Sequence, residues 1–208
     1  MSDFVTTDNV GTESEELGAV VSQDFSDKPL TPPSKYRSEF REIKEHSRYR
    51  DKNGVLVVMF QIDFKGGLTD LVTGRKFFRP DRHWISTAQF RRRDFQNGGF
   101  YPGTTSDVAE YLLACGYPKS QVRSLSGAAI LSIMEESQTR ACGVRTGLRD
   151  KVTPTGATKP NGKAEYTKTR AYTKAFLNED GSIKRTIEKD GVTLEARESV
   201  EGFVKLSA

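Results

Sequence analysis

Apolar and polar positions fall into a readable order only from Tyr36 onward. Tyr36, Ser38, Phe40, Glu42 and Lys44 share one face of an extended segment, with Arg37, Glu39, Arg41 and Ile43 on the other, which predicts a strand. Asp51-Lys52-Asn53-Gly54 follows, and Asn-Gly is the strongest short hairpin signal. Residues 55–64, VLVVMFQIDF, are dense in β-branched and aromatic side chains and predict the firmest strand of the chain, broken by Gly66-Gly67. Residues 75–85, RKFFRPDRHWI, predict an edge strand or two short pieces, because Pro80 cannot donate to a central ladder. Residues 86–103 read as loop. Val108, Tyr111, Leu112 and Cys115 recur at helical spacing behind the Ser106-Asp107 cap signal and before Gly116, which predicts a helix over 106–115. Residues 127–137 fit two periods: Ile130, Ile133, Met134 and Ser137 line one side of a helix, Ala129, Leu131 and Ile133 one face of a strand. Residues 149–164, rich in Gly, Pro, Thr and Lys, predict a mobile basic loop, and 166–176 a strand. A turn at Asn178-Glu179-Asp180-Gly181 opens the last stretch, read as a small strand pair or a tail.

The chain reads as three parts: a disordered acidic arm over 1–34, a folded domain over 35–178, and a C-terminal extension or tail over 179–208. The arm has too little apolar surface to offset its ordering entropy. Charge sharpens the division. Residues 1–34 carry −6 and residues 177–208 carry −2, which leaves +12 on 35–176 out of a total of +4. A basic body between acidic ends points to an anionic partner. Cys115 and Cys142 lack zinc-ligand spacing with each other or with His46 and His83, so they read as reduced core thiols. No apolar run reaches the roughly 20 residues of a membrane span, and the acidic N-terminus does not resemble a signal peptide. The expectation is a cytoplasmic protein (host cytoplasm, if viral) with no membrane partner.

The segment 165–176, EYTKTRAYTKAF, carries the most informative chemistry. As a strand it presents Tyr166, Lys168, Arg170, Tyr172, Lys174 and Phe176 on one face. Rings that stack on bases, interleaved with cations that meet phosphates, are what single strands require. The competing reading is a solvated strand whose rings cover the core while lysines guard an edge. A second cluster joins Arg79, Arg82, His83 and Trp84 to Phe90-Arg91-Arg92-Arg93-Asp94-Phe95, where three arginines flanked by phenylalanines suit phosphate contact with stacking neighbours, or a solubilising loop anchored by its rings. Lys159 and Lys163 add charge in the basic loop. Walker-type, GxSxG and HExxH motifs are absent, and Asp63, Asp70 and Asp81 have no metal-site spacing, so neither an enzyme nor a cofactor or metal is expected.

The order of these segments resembles the phage-encoded single-stranded-DNA-binding proteins with an OB-type barrel. The resemblance runs from Tyr36-Arg37-Ser38-Glu39-Phe40 through VLVVMFQIDF, KFFRPDRHWI, SDVAEYLLACGY and LSGAAILSI to YTKTRAYTKAF. It implies a mainly β (α+β) fold, an OB-like five-stranded barrel with one or two helices, whose strand face and loops grip nucleic acid. Pro80, the insert 86–103 and the ambiguous 127–137 depart from that pattern, and the chain ends Phe203-Val204-Lys205-Leu206-Ser207-Ala208 rather than in an acidic tail. The function implied is non-catalytic binding of single-stranded nucleic acid, DNA ahead of RNA, in viral DNA replication or recombination. Replication or recombination proteins and further copies of the chain are expected partners, and the acidic arm is expected to cover the basic face when nucleic acid is absent. A virion or scaffold protein and an RNA-binding module are the alternatives.

Overall fold

A computed structural model describes residues 30–78, 82–94, 97–167 and 173–206. The chain divides into residues 1–30 and 31–208, and every described strand and helix belongs to the second unit. The expected acidic arm lies almost wholly outside the described residues, as do Arg79, Phe95, Lys168, Arg170 and Tyr172.

The architecture is mainly β, with 42% strand and 17% helix, and its principal sheet curls into a half-barrel, consistent with an OB-like α+β fold. Strands β1 (Lys35–Ser38), β2 (Glu42–Arg50), β3 (Leu56–Asp63), β4 (Leu68–Asp70), β5 (Lys76–Phe77) and β6 (His83–Ser86) come first. Helices α1 (Asp107–Ala114), α2 (Lys119–Arg123) and α3 (Gly127–Glu136) come next. The chain then forms β7 (Cys142–Asp150), β8 (Pro154–Thr158), β9 (Ala164–Tyr166), β10 (Thr186–Lys189) and β11 (Val192–Val204). Among the described residues the expected five strands are replaced by a six-stranded sheet, ordered β10-β11-β7-β1-β4-β5, a three-stranded sheet, β2-β3-β6, and a two-stranded ribbon, β8-β9.

The Asn53-Gly54 hairpin forms as predicted. Asp51 accepts from the amides of Asn53 and Val55 at 2.8 and 2.9 Å, Gly54 takes φ +76°, and β2 and β3 pair in antiparallel register. The predicted strand over 36–44 is interrupted at Glu39–Arg41, where Arg41 turns inward and is fully buried. Val58, Phe60, Ile62 and Phe64 meet Tyr36, Leu68, Ile85, Cys142 and Val144 in the core, and Val108, Tyr111, Leu112 and Cys115 of the predicted helix join them. Each such side chain contributes on the order of 1.5–3 kcal/mol. Ser106 caps α1 by accepting from the Ala109 amide at 3.1 Å, and Gly116, at φ +86°, ends it. The ambiguous segment 127–137 is helical. Ile133 and Met134 are buried and Ile130 half-buried, whereas Ala129, which a strand would have turned inward, is exposed.

Three expectations are corrected. Residues 149–164 are no loop: β7 runs to Asp150, and β8 pairs with β9 in an exposed ribbon whose tip is closed by Lys159 N–H to Lys163 O at 2.8 Å. The strand over 166–176 stops at Tyr166, the last residue of β9, and Thr173–Phe176 form a 3-10 turn. Of the two readings of the last stretch, the strand pair forms, β10 with β11, but it belongs to the same sheet as β7 and is no extension beyond 178. β11 lies between β10 and β7 and pairs with β7 from Ala196↔Asp150 to Val204↔Gly143, so the C-terminal stretch is integral to the sheet. The unit also begins before residue 35, since Pro32 O accepts from the Tyr36 hydroxyl at 2.7 Å and from Thr146 at 2.9 Å.

Candidate nucleic-acid interface

Two exposed surfaces succeed one another along the chain. The first is the outer face of the three-stranded sheet. Residues directly opposite in an antiparallel pair share a face. Lys44↔Gln61↔Trp84 therefore form one row across β2, β3 and β6. Glu42 and Asp63 form the next row, and Arg82 reaches Asp63 at 3.7 Å. Trp84 is 41% exposed and packs against the His46 ring edge-on, with centroids 4.3 Å apart. Tyr49, also exposed, stands opposite Val57 farther along β2. The hydrogen bond to Lys44 holds the Glu42 carboxyl below its ordinary range, and Lys65 and Arg82 pull the same way, so this acid offsets part of the local positive charge.

From β6 the chain passes into the second surface, residues 90–105. The predicted loop is a narrow two-limbed arm. Phe90 and Thr105 exchange amide hydrogen bonds of 2.8 and 2.9 Å, Tyr101 N–H donates to Arg92 O at 2.9 Å, and Asp94 N–H to Gly99 O at 3.1 Å. The tip turns through Gly98 and Gly99, both in the left-handed region, where only glycine is free of steric cost. Asp94 holds that turn by accepting from the amide and side chain of Asn97 at 3.1 Å each. Arg91, Arg92 and Arg93 are exposed on one limb. Phe100, 60% exposed, stands opposite Arg93, and Tyr101, 46% exposed, comes next to it. Arg92 also approaches Glu110 at 3.8 Å, which ties the arm to α1. An open cavity of about 630 Å³ lies between arm and helices, lined by Arg92, Tyr101, Thr104, Lys119, Arg123 and Ile130 among others.

The sequence-predicted residues thus divide. Arg82, Trp84, Arg91, Arg92 and Arg93 lie on these two surfaces. Lys159, Lys163 and Tyr166 lie on the β8-β9 ribbon, with Tyr166 52% exposed. Lys174 is exposed in the 3-10 turn, but Phe176 is 0% exposed and packs inward. Tyr166, Lys174 and Phe176 therefore share no strand face, because Tyr166 ends β9 and Thr173–Phe176 form a 3-10 turn. Lys168, Arg170, Tyr172 and Arg79 lie outside the described residues. Asp70 is structural, closing the β4-β5 turn by accepting from the amides of Val72 and Thr73 at 2.8 Å each. Among the described residues no cluster of three or more His, Cys, Asp or Glu could hold a metal ion, and no helix is long and apolar enough to cross a membrane.

Sequence reasoning missed Lys44, His46, Tyr49, Phe100 and Tyr101. The signal for the last two was legible in Arg91-Arg92-Arg93-Asp94 and Phe100-Tyr101 flanking Asn97-Gly98-Gly99, a hairpin pattern. Searches of protein-family models, of curated proteins and of solved structures gave no significant match to the chain.

Proposed function

We propose that the protein binds single-stranded DNA without catalysis, in viral DNA replication or recombination. One observation carries the reading: the 90–105 arm holds three exposed arginines on one limb and the exposed Phe100 and Tyr101 rings on the other. Rings stack on bases at about 1–3 kcal/mol each without regard to sequence, while arginines meet the phosphates between them. Trp84, in the strand that leads toward the arm, extends the same chemistry along the open sheet face. Support also comes from the half-barrel, since OB-like barrels use a strand face and adjoining loops for oligonucleotides.

The test is fluorescence anisotropy with labelled DNA and RNA oligonucleotides at about 50 and 200 mM salt, a range over which several phosphate contacts cost orders of magnitude in affinity. R91Q/R92Q/R93Q is expected to flatten the dependence of log K on log salt by about 2, at roughly 0.7 per lost contact. F100A/Y101A is expected to weaken binding at every salt concentration by about tenfold or more, the loss of at least one stacked base. Wild-type protein that leaves the oligonucleotides free at the lower salt, or binding indifferent to both variants, refutes the proposal. Preference for RNA over DNA would move the reading to ribose recognition.

A further inference from the structure

The outer face of the six-stranded sheet is a different kind of surface. Register places Lys76 of β5, Lys35 and Arg37 of β1, Arg145 and Arg149 of β7, and Arg197 of β11 on the face opposite the core residues Tyr36, Leu68 and Val144. Between them on that face stand Thr69, Gly143, Gly147, Ser199 and Val204. No described aromatic side chain stands on that face within the strands, but Phe78, directly after β5 and 68% exposed, borders it with Lys76 Nζ 5.3 Å from its ring centroid. Two cross-strand pairs put like charges directly opposite, Lys35↔Arg145 and Arg149↔Arg197. Like charges directly opposite repel, and Glu201 offsets that repulsion at Arg145. Acidic groups beside these cations include Glu39, paired with Arg37, Glu201, 3.4 Å from Arg145, and Glu188 and Glu195 at the β10 edge.

We infer that this face binds the phosphate backbone of double-stranded nucleic acid, so that the protein holds a duplex on its sheet while its arm holds a single strand. A duplex site adds to the function proposed above. With Phe78 confined to the β5 edge, the strands of this face offer little for unstacked bases, which favours a partner that presents phosphates alone. The four strand spacings from β5 to β11 span about 19 Å. A duplex carries one charge per about 1.7 Å of axis with both strands counted, so a length of that order carries on the order of ten phosphates, and those on its near side meet the six cations. Nothing here reads base edges, so binding is sequence-independent.

The experiment uses the full chain with a blunt DNA duplex, a single strand of the same length, and R149Q/R197Q and K35Q/R37Q/K76Q as sheet variants beside the arm variant R91Q/R92Q/R93Q. Thermal unfolding of each variant controls for folding, and the second sheet variant replaces only exposed residues. Each sheet variant is expected to flatten the salt dependence of duplex binding by about 0.9 per cation removed and to leave single-strand binding unchanged. The arm variant is expected to do the reverse. Wild-type protein with no affinity for the duplex at about 50 mM salt, or duplex binding indifferent to both folded sheet variants, overturns the inference and leaves the single-strand reading standing. Loss of single-strand binding from the sheet variants, with the arm variant silent, overturns the assignment of strands to surfaces. A single strand that never binds while the duplex does overturns only the earlier proposal.

Discussion

Replacement of Arg41 tests how the interior is held together. Arg41 is fully buried, and its guanidinium is held by four oxygen acceptors and by the Cys115 sulfur, 3.7 Å from Nη2. Its Nη1 donates to Ser38 O at 2.9 Å, Nε to the Tyr111 hydroxyl at 3.0 Å, and Nη2 to Ser137 O at 2.8 Å and to Arg140 O. The group thereby joins the end of β1, α1 and the segment after α3, and the Arg41 amide adds a bond to Gln138 O at 3.0 Å. Four bonds from a charged donor, at about 1.5–3 kcal/mol each, outweigh the several kcal/mol lost on taking one ion out of water. R41M keeps most of the side-chain volume and leaves the acceptors bare, so it should cost about 3 kcal/mol. R41A adds a cavity and should cost on the order of 1–2 kcal/mol more. Urea unfolding, followed by the single tryptophan and by far-ultraviolet circular dichroism, reads both as a lower midpoint with unchanged slope. With a slope near 2 kcal/mol per molar, R41M should move the midpoint by about 1.5 M. A shift under about 0.5 M would mean that the desolvation cost cancels the hydrogen bonds, and that Arg41 specifies geometry rather than stability.

Ending the chain at Asn178 should abolish cooperative unfolding, because it strips β7 of its whole ladder with β11; a truncated protein that unfolds in one sharp transition would refute the integral role of the last strands. Gly143→Ala should destabilise by about 2–3 kcal/mol, since a Cβ there would stand 2.5 Å from Val204 O and 2.7 Å from its side chain, and unchanged melting would show that β11 yields easily. Cys115 is held down to about 7 by its hydrogen bond with Cys142 and by the Arg41 charge. A thiol depressed in the folded state stabilises above its unfolded value, and that increment is lost as pH falls through the folded value. Wild-type protein should thus gain stability over Cys115→Ser from about pH 7 to 9, and parallel stability curves for the two proteins would refute the shift. Ser106→Ala should lower stability by about 1 kcal/mol through loss of the α1 cap, with circular dichroism melting as the readout.

How much of the fold was legible in the sequence depends on how local each determinant is. The Asn53-Gly54 turn, the apolar β3 and the Ser106-to-Gly116 helix depend on neighbours within one turn or one strand, and all three stand in the structure. The period of 127–137 was settled by partners far away in sequence. A buried side for Ile133 and Met134 exists only because β2, β3 and β7 supply a core there, and pattern alone cannot contain that information. The segment Tyr166–Phe176 failed for the opposite reason. Alternating rings and threonines are equally compatible with a strand and with a turn that sends its last ring inward, and Phe176 contributes more by burial than any exposed stacking face would return in the absence of ligand. The candidate interface was half legible. Arg91–Arg93 announced themselves as a charge run, but their pairing with Phe100 depends on a turn through Gly98 and Gly99 that fixes which limb residues face each other. The sheet face was illegible, since Lys35, Arg145 and Arg197 are more than fifty residues apart and become one surface only through strand order. Long-range register therefore places charge where no segment of the sequence displays it, and a protein read for its charge runs alone will show its loops before its sheets.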